Sequence, residues 1–126
     1  MPPKLPRPTD AELEILSVLW ETGPATVREV YERLSQKRTA QYSTVLKFLQ
    51  IMAEKGLVRR NEEQRAHVYE AAVSEADTQD RLVTALLKKA FGGSTSKLVL
   101  QALASKKASP DELAEIRRLI NKLSKE

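Results

Sequence analysis

The chain has 126 residues and no cysteine, which excludes disulfides, thiolate metal sites and thiol redox chemistry. Its single histidine, His67, has no cysteine beside it and reads as a solvated or locally stabilising side chain, so neither a metal centre nor a cofactor is expected. Glycine is scarce, with four residues, and none of them builds a phosphate-cradling loop between a strand and a helix. With no cleft-forming α/β pattern, scattered His, Asp and Ser residues do not make a triad, so no catalytic residue and no enzyme are expected. No apolar run approaches the roughly 20 residues of a membrane span. The start, Met1-Pro2-Pro3-Lys4-Leu5-Pro6-Arg7-Pro8, lacks the apolar core of a signal peptide. Together these absences predict a cytoplasmic protein with no membrane insertion.

Charge is present and unevenly placed. The net charge is +4. All of that excess falls between Gln36 and His67, where Lys37, Arg38, Lys47, Lys55, Arg59, Arg60 and Arg65 face only Glu54, Glu62 and Glu63. A cationic focus suits a surface that meets phosphates, although charge runs are often only solvated faces. The segment beneath it is more telling. From Tyr42 to Lys55, Val45, Phe48, Leu49 and Met52 share one helical face, and Ser43, Thr44, Lys47 and Gln50 lie towards the other side. Gly56 suits a left-handed cap, after which Leu57–Arg60 and His67–Glu70 alternate as two paired strands around the loop 61–66.

Upstream, Thr9 and Glu12 have capping-box spacing before Leu13, Ile15, Leu16, Val18, Leu19 and Trp20, all read as a broad buried face. Gly23-Pro24 ends that helix and Ala25 offers a very short strand. Thr26 and Glu29 then repeat the box before the stripe Val27, Val30, Tyr31 and Leu34. The order of helix, short strand, two helices and two strands is that of a winged helix-turn-helix, whose last helix enters the major groove while the hairpin, or wing, follows the backbone.

From Ser74, another capping position, Leu82, Val83, Leu86, Leu87, Ala90 and Phe91 recur at helical spacing until Gly92-Gly93. Ser94 or Thr95 restarts a helix with Leu98, Val99 and Leu103, and Lys106-Lys107 suit its C-terminal turn. Ser109-Pro110-Asp111-Glu112 starts a third, with Leu113, Ile116, Ile120 and Leu123. About 55 residues sit near the lower limit for an autonomous core, so a second copy of the chain is the expected partner. The fold class is therefore mainly α with a small β-hairpin: a winged helix-turn-helix domain over residues 1–72 and a three-helix dimerisation region over residues 73–126. Leu82, Leu86, Phe91, Leu98, Val99, Leu103, Leu113, Ile116, Ile120 and Leu123 are the candidate contacts of a homodimer.

These stretches also carry a resemblance. Thr9–Leu16 with Leu19-Trp20, Ala25–Val30, Ser43–Val45 through Lys55–Val58, Phe91-Gly92-Gly93 and Ser109–Leu113 resemble, in order and spacing, the penicillinase-repressor (BlaI/MecI/CopY) family of bacterial regulators. The resemblance implies a homodimeric repressor of a dyad-symmetric operator, often controlling resistance genes. It also implies induction by a membrane sensor-protease that responds to β-lactam and leads to cleavage in the dimerisation region. Copper-responsive members carry a cysteine-rich motif, which a cysteine-free chain cannot have. Staphylococcal-type members are cut between asparagine and phenylalanine in the fifth helix. Here Gln101-Ala102 stands at that place, so the cleavage chemistry does not carry over residue by residue.

For contact with a double-stranded DNA operator, Thr44 and Lys47 come first, since a threonine offers a hydroxyl and a methyl and a lysine reaches guanine acceptors. Ser43 and Tyr42 follow, with Tyr42 alternatively packing on the preceding helix. Leu46 meets a thymine methyl or borders the core. Arg59, Arg60 and Arg65 belong to the wing, and strand alternation sends Arg59 and Arg60 to opposite sides. Glu62 and Glu63 are expected to lie away from phosphates or to pair with Arg65. The alternatives to a repressor are a winged-helix protein-interaction module and a small-molecule-responsive regulator.

Overall fold

The computed structural model describes residues 7–63, 65–105 and 108–125. The expectations placed on the first six residues, on Gln64 in the wing loop and on Lys106-Lys107 lie outside these. The chain forms two compact units that divide between Leu82 and Val83.

In the first unit, helix α1 (Asp10–Thr22) begins with a reciprocal cap: Glu12 N–H donates to Thr9 Oγ1 at 3.2 Å and Thr9 N–H donates to Glu12 Oε1 at 2.9 Å. Strand β1 (Ala25–Thr26) follows, and the same box at Thr26 and Glu29 opens α2 (Val27–Ser35). Helix α3 (Tyr42–Lys55) starts at Gln41 without a side-chain cap. It ends in a Schellman turn, in which Gly56 at φ 84° donates to Ala53 C=O and Leu57 N–H donates to Met52 C=O at 2.9 Å. Strands β2 (Val58–Asn61) and β3 (Val68–Ala71) form the hairpin. The sheet has three antiparallel strands in the order β1-β3-β2, with Ala25 opposite Tyr69, Arg59 opposite Glu70 and Arg60 opposite Tyr69.

Both hairpin strands lie one residue later than the apolar alternation predicts. Leu57 is drawn out of β2 because its N–H closes α3, and its carbonyl instead accepts from Ala72 N–H at 2.9 Å. The core gathers Ile15, Leu16 and Leu19 of α1, Val30 and Leu34 of α2, Val45, Leu49 and Met52 of α3, and Leu57, Val58 and Tyr69 from the sheet side. Four expected core members, Leu13, Trp20, Tyr31 and Phe48, are only half-buried. Phe48 packs at the margin, and Trp20 donates its Nε1–H to Val73 C=O at 3.0 Å, which ties the end of α1 to the segment after β3.

Among the described residues of this unit, Glu12 is the one charged residue that is buried, at 1% exposure. Its Oε2 accepts from Lys55 Nζ at 2.9 Å, linking the start of α1 to the end of α3. Burial pushes its pKa up. The hydrogen bond and charge of Lys55, with the backbone and hydroxyl of Thr9, outweigh burial and hold the carboxyl below its ordinary value.

Helix α4 (Glu75–Ala90) starts at Ser74, whose Oγ accepts from Asp77 N–H at 3.1 Å, and its early residue Thr78 is buried. Helices α5 (Thr95–Ser105) and α6 (Pro110–Ser124) complete the second unit. Ser94 caps α5 through Lys97 N–H, and Ser109 and Glu112 form a full box on α6. None of the ten residues expected at the dimer contact is buried in a single chain, and Leu86, Leu113, Ile120 and Leu123 are 43–57% exposed. Among the described residues no helix is long and apolar enough to cross a membrane.

Candidate nucleic-acid interface

Helix α3 has two faces because its apolar residues recur at three- and four-residue intervals. Val45, Leu49 and Met52 are buried, which turns Ser43, Thr44, Lys47 and Gln50 outwards, all exposed. Ser43, Thr44 and Lys47 line one shallow groove along the helix with Phe48 and Ile51. Leu46 is half-buried and borders the core, as one of its two expected roles requires.

Tyr42 serves two neighbours. Its ring meets Tyr31 of α2 edge-on, with centroids 5.7 Å apart and planes at 70°, yet it remains 44% exposed. Its open side lines a second groove with Thr26 of β1, Arg28 of α2, Leu46 of α3, and Arg65, Ala66 and His67 of the wing. Arg28 was not singled out from the sequence. The signal was there, because the Thr26–Glu29 box fixes Arg28 in the first turn of α2, the turn that faces α3 in a helix-turn-helix. His67 lies beyond the end of β3 and is exposed on the same groove.

The cations divide into held and free. Arg38 donates to Glu14 at 2.9 Å, Lys55 to Glu12 at 2.9 Å and Arg59 to Glu70 at 3.1 Å, while Arg60 pairs with Glu62. Lys37, Lys47 and Arg65 have no carboxylate partner among the described residues. The expected pairing of Arg65 with Glu62 or Glu63 is therefore corrected. Glu62 is taken by Arg60, and the Glu63 backbone N–H donates to Asn61 Oδ1 at 2.9 Å, which folds the wing loop back on its own strand.

Arg59 and Arg60 do lie on opposite faces, as alternation requires. Arg59 crosses to Glu70, and Arg60 shares the face of Tyr69. A loose contact with the Tyr69 phenol raises the Arg60 pKa, with Glu62 adding to it against the pull of burial. That contact falls short of a well-formed hydrogen bond, and the buried Tyr69 hydroxyl has no other partner among the described residues.

Three helices, a three-stranded sheet and a hairpin that leave the polar face of the third helix open define a winged helix-turn-helix protein. The chain belongs to the penicillinase repressor family, whose model matches residues 8–122. It is 34% identical over 124 residues to the transcriptional regulator BlaI of Mycobacterium tuberculosis, covering 95% of this chain and 87% of that one. It is 27% identical over 117 residues to the penicillinase repressor of Bacillus licheniformis, covering 93% and 91%. Among solved structures, the monomeric form of B. licheniformis BlaI in complex with the blaP half-operator matches with a TM-score of 0.52 and 32% identity, over 59% of this chain and 90% of that one.

Proposed function

We propose that this protein is a DNA-binding transcriptional repressor that occupies a pseudo-palindromic operator as a homodimer in the cytoplasm. The observation that carries the reading is the open face of α3. Ser43, Thr44 and Lys47 stand on it with no side-chain partner among the described residues, and Arg65, which has no carboxylate partner among them, flanks its start. Thr44 and Lys47 read base edges, with Ser43 and Tyr42 beside them, and Arg65 holds phosphate. Arg28, Arg59 and Arg60 add charge from surface-exposed pairs with Glu32, Glu70 and Glu62, which are easily exchanged for phosphate. An acidic or apolar α3 face would favour a protein-docking module, and this face is neither.

Residues 1–72 then form the DNA-binding part and residues 73–126 the dimerisation part. The exposed aliphatic side chains of α4 and α6 support pairing, because burying the half of each large one that stands in water is worth about 1 kcal/mol. Release follows from proteolysis within α5, driven by a membrane sensor-protease system in a β-lactam or related stress response. Gln101 and Ala102 are both exposed on that helix, which buries no residue and so opens at little cost to the extended form that a protease needs. No step of this function is enzymatic and none needs a cofactor.

The experiment is a titration of the purified protein with duplex DNA from upstream of its own gene and with random duplex at matched salt. A preference of at least about 10³-fold for the former is expected of a specific regulator. Equal affinity for both, with no other preferred site, removes the repressor reading.

A further inference from the structure

One cleft lies away from the DNA-facing side of the first unit. It is about 160 Å³ and its lining combines the apolar Pro8, Leu57, Ala72, Val73 and Leu82 with Arg7 and Arg81. Ser74, Asp77 and Thr78 complete the wall. The whole cleft belongs to residues 7–82, within the first unit.

Its size and chemistry narrow what fits. An apolar cavity of about 150 Å³ accommodates a benzene ring. Neither Arg7 nor Arg81 has a carboxylate partner among the described residues, and Asp77, one turn before Arg81, does not bridge to it. Two guanidinium groups against one carboxylate leave an excess positive charge beside an apolar floor. The first turn of α4 adds little to that attraction, because Ser74 already caps it and the Thr78 hydroxyl donates back to Ser74 C=O at 2.8 Å.

We propose that this cleft is a binding site for a small organic carboxylate carrying a single apolar ring, its carboxylate held by Arg81 and Arg7 and its ring seated on the half-buried Val73 and Leu82, beside the buried Leu57. The placement matters because Leu57 closes the C-terminus of α3 and Ala72 hydrogen-bonds to it at the root of the wing. A bound ring touches the joint between helix and hairpin.

Benzoate is the probe, and the full-length protein without DNA is the sample, so the outcome does not depend on the repressor reading. A ligand of nine heavy atoms at ordinary efficiency binds with Kd on the order of 1 mM. Backbone amide NMR during titration is expected to show saturable shifts at Leu57, Ala72, Val73 and Arg81. Benzyl alcohol, which keeps the ring and lacks the charge, is expected to bind roughly tenfold more weakly, and Arg81→Gln to lose about the same factor. Arg81→Lys, which keeps the charge without the fork, recovers part of it. Arg81 is exposed, and an unchanged thermal melt shows that each variant is folded. Shifts that do not saturate, shifts centred on other residues, or equal affinity for benzoate and benzyl alcohol overturn the proposal.

Discussion

At Thr44 and Arg65 the proposed function separates into two kinds of contact with different signatures. Thr44→Ala removes a base-edge contact, and it is expected to weaken binding by about 1–2 kcal/mol on the preferred sequence with little effect on random duplex. Arg65→Ala removes a phosphate contact, so affinity falls on every sequence and the salt slope drops by roughly 1. Salt-dependent anisotropy titrations of both variants check this, and a uniform loss from Thr44→Ala contradicts the assignment. Glu12 carries a separate prediction about stability. Its folded carboxyl titrates below its ordinary value, so the stability it adds is present above the unfolded carboxylate range and is lost as pH falls through the folded value. Glu12→Gln keeps an oxygen for the cap but leaves Lys55 without its carboxylate, and it is expected to cost about 2 kcal/mol near neutral pH and to flatten the acid limb of the stability curve. Urea melts from neutral to acid pH read both effects. An unchanged acid limb assigns the titration to other carboxylates.

At the scale of elements, the turn at Gly56 sets where the wing begins. Its φ of 84° is one that a Cβ disfavours, so Gly56→Ala is expected to destabilise the fold by about 1 kcal/mol, visible as a fall of several degrees in Tm. No change in Tm argues against a strained cap there. Much of this architecture was legible beforehand. The Thr9, Thr26, Ser74 and Ser109 caps, the Gly23 and Gly56 stops and the apolar periodicity are local signals, and each helix follows them. What stayed illegible depends on distant partners. The Leu57 N–H goes to Met52 rather than to the ladder, which shifts β2 by one residue. Glu12 is buried because Lys55 lies 43 positions away in the chain and beside it in space. Lys55 and Arg38, counted with the cationic surface, turn out to be held by carboxylates of α1. The open face of α3 was legible because it follows from periodicity alone.

For the whole molecule, a winged-helix unit with a well-filled core is joined to helices that leave their aliphatic residues in water. The account resolves that imbalance by pairing two chains, which also sets two recognition helices on one duplex. Sedimentation is expected to give a dimer. Ile120→Glu with Leu123→Glu is expected to give a monomer that binds a half-site yet loses most of its affinity for the full site. A wild-type chain that stays monomeric at concentrations well above its DNA affinity contradicts the pairing. A footprint of the purified protein on DNA upstream of its own gene decides whether two chains read one site. Two protected half-sites related by a dyad are expected, with centres roughly 10 bp or a multiple of that apart. Protection of a single asymmetric segment, or none distinguishable from random duplex, contradicts paired binding.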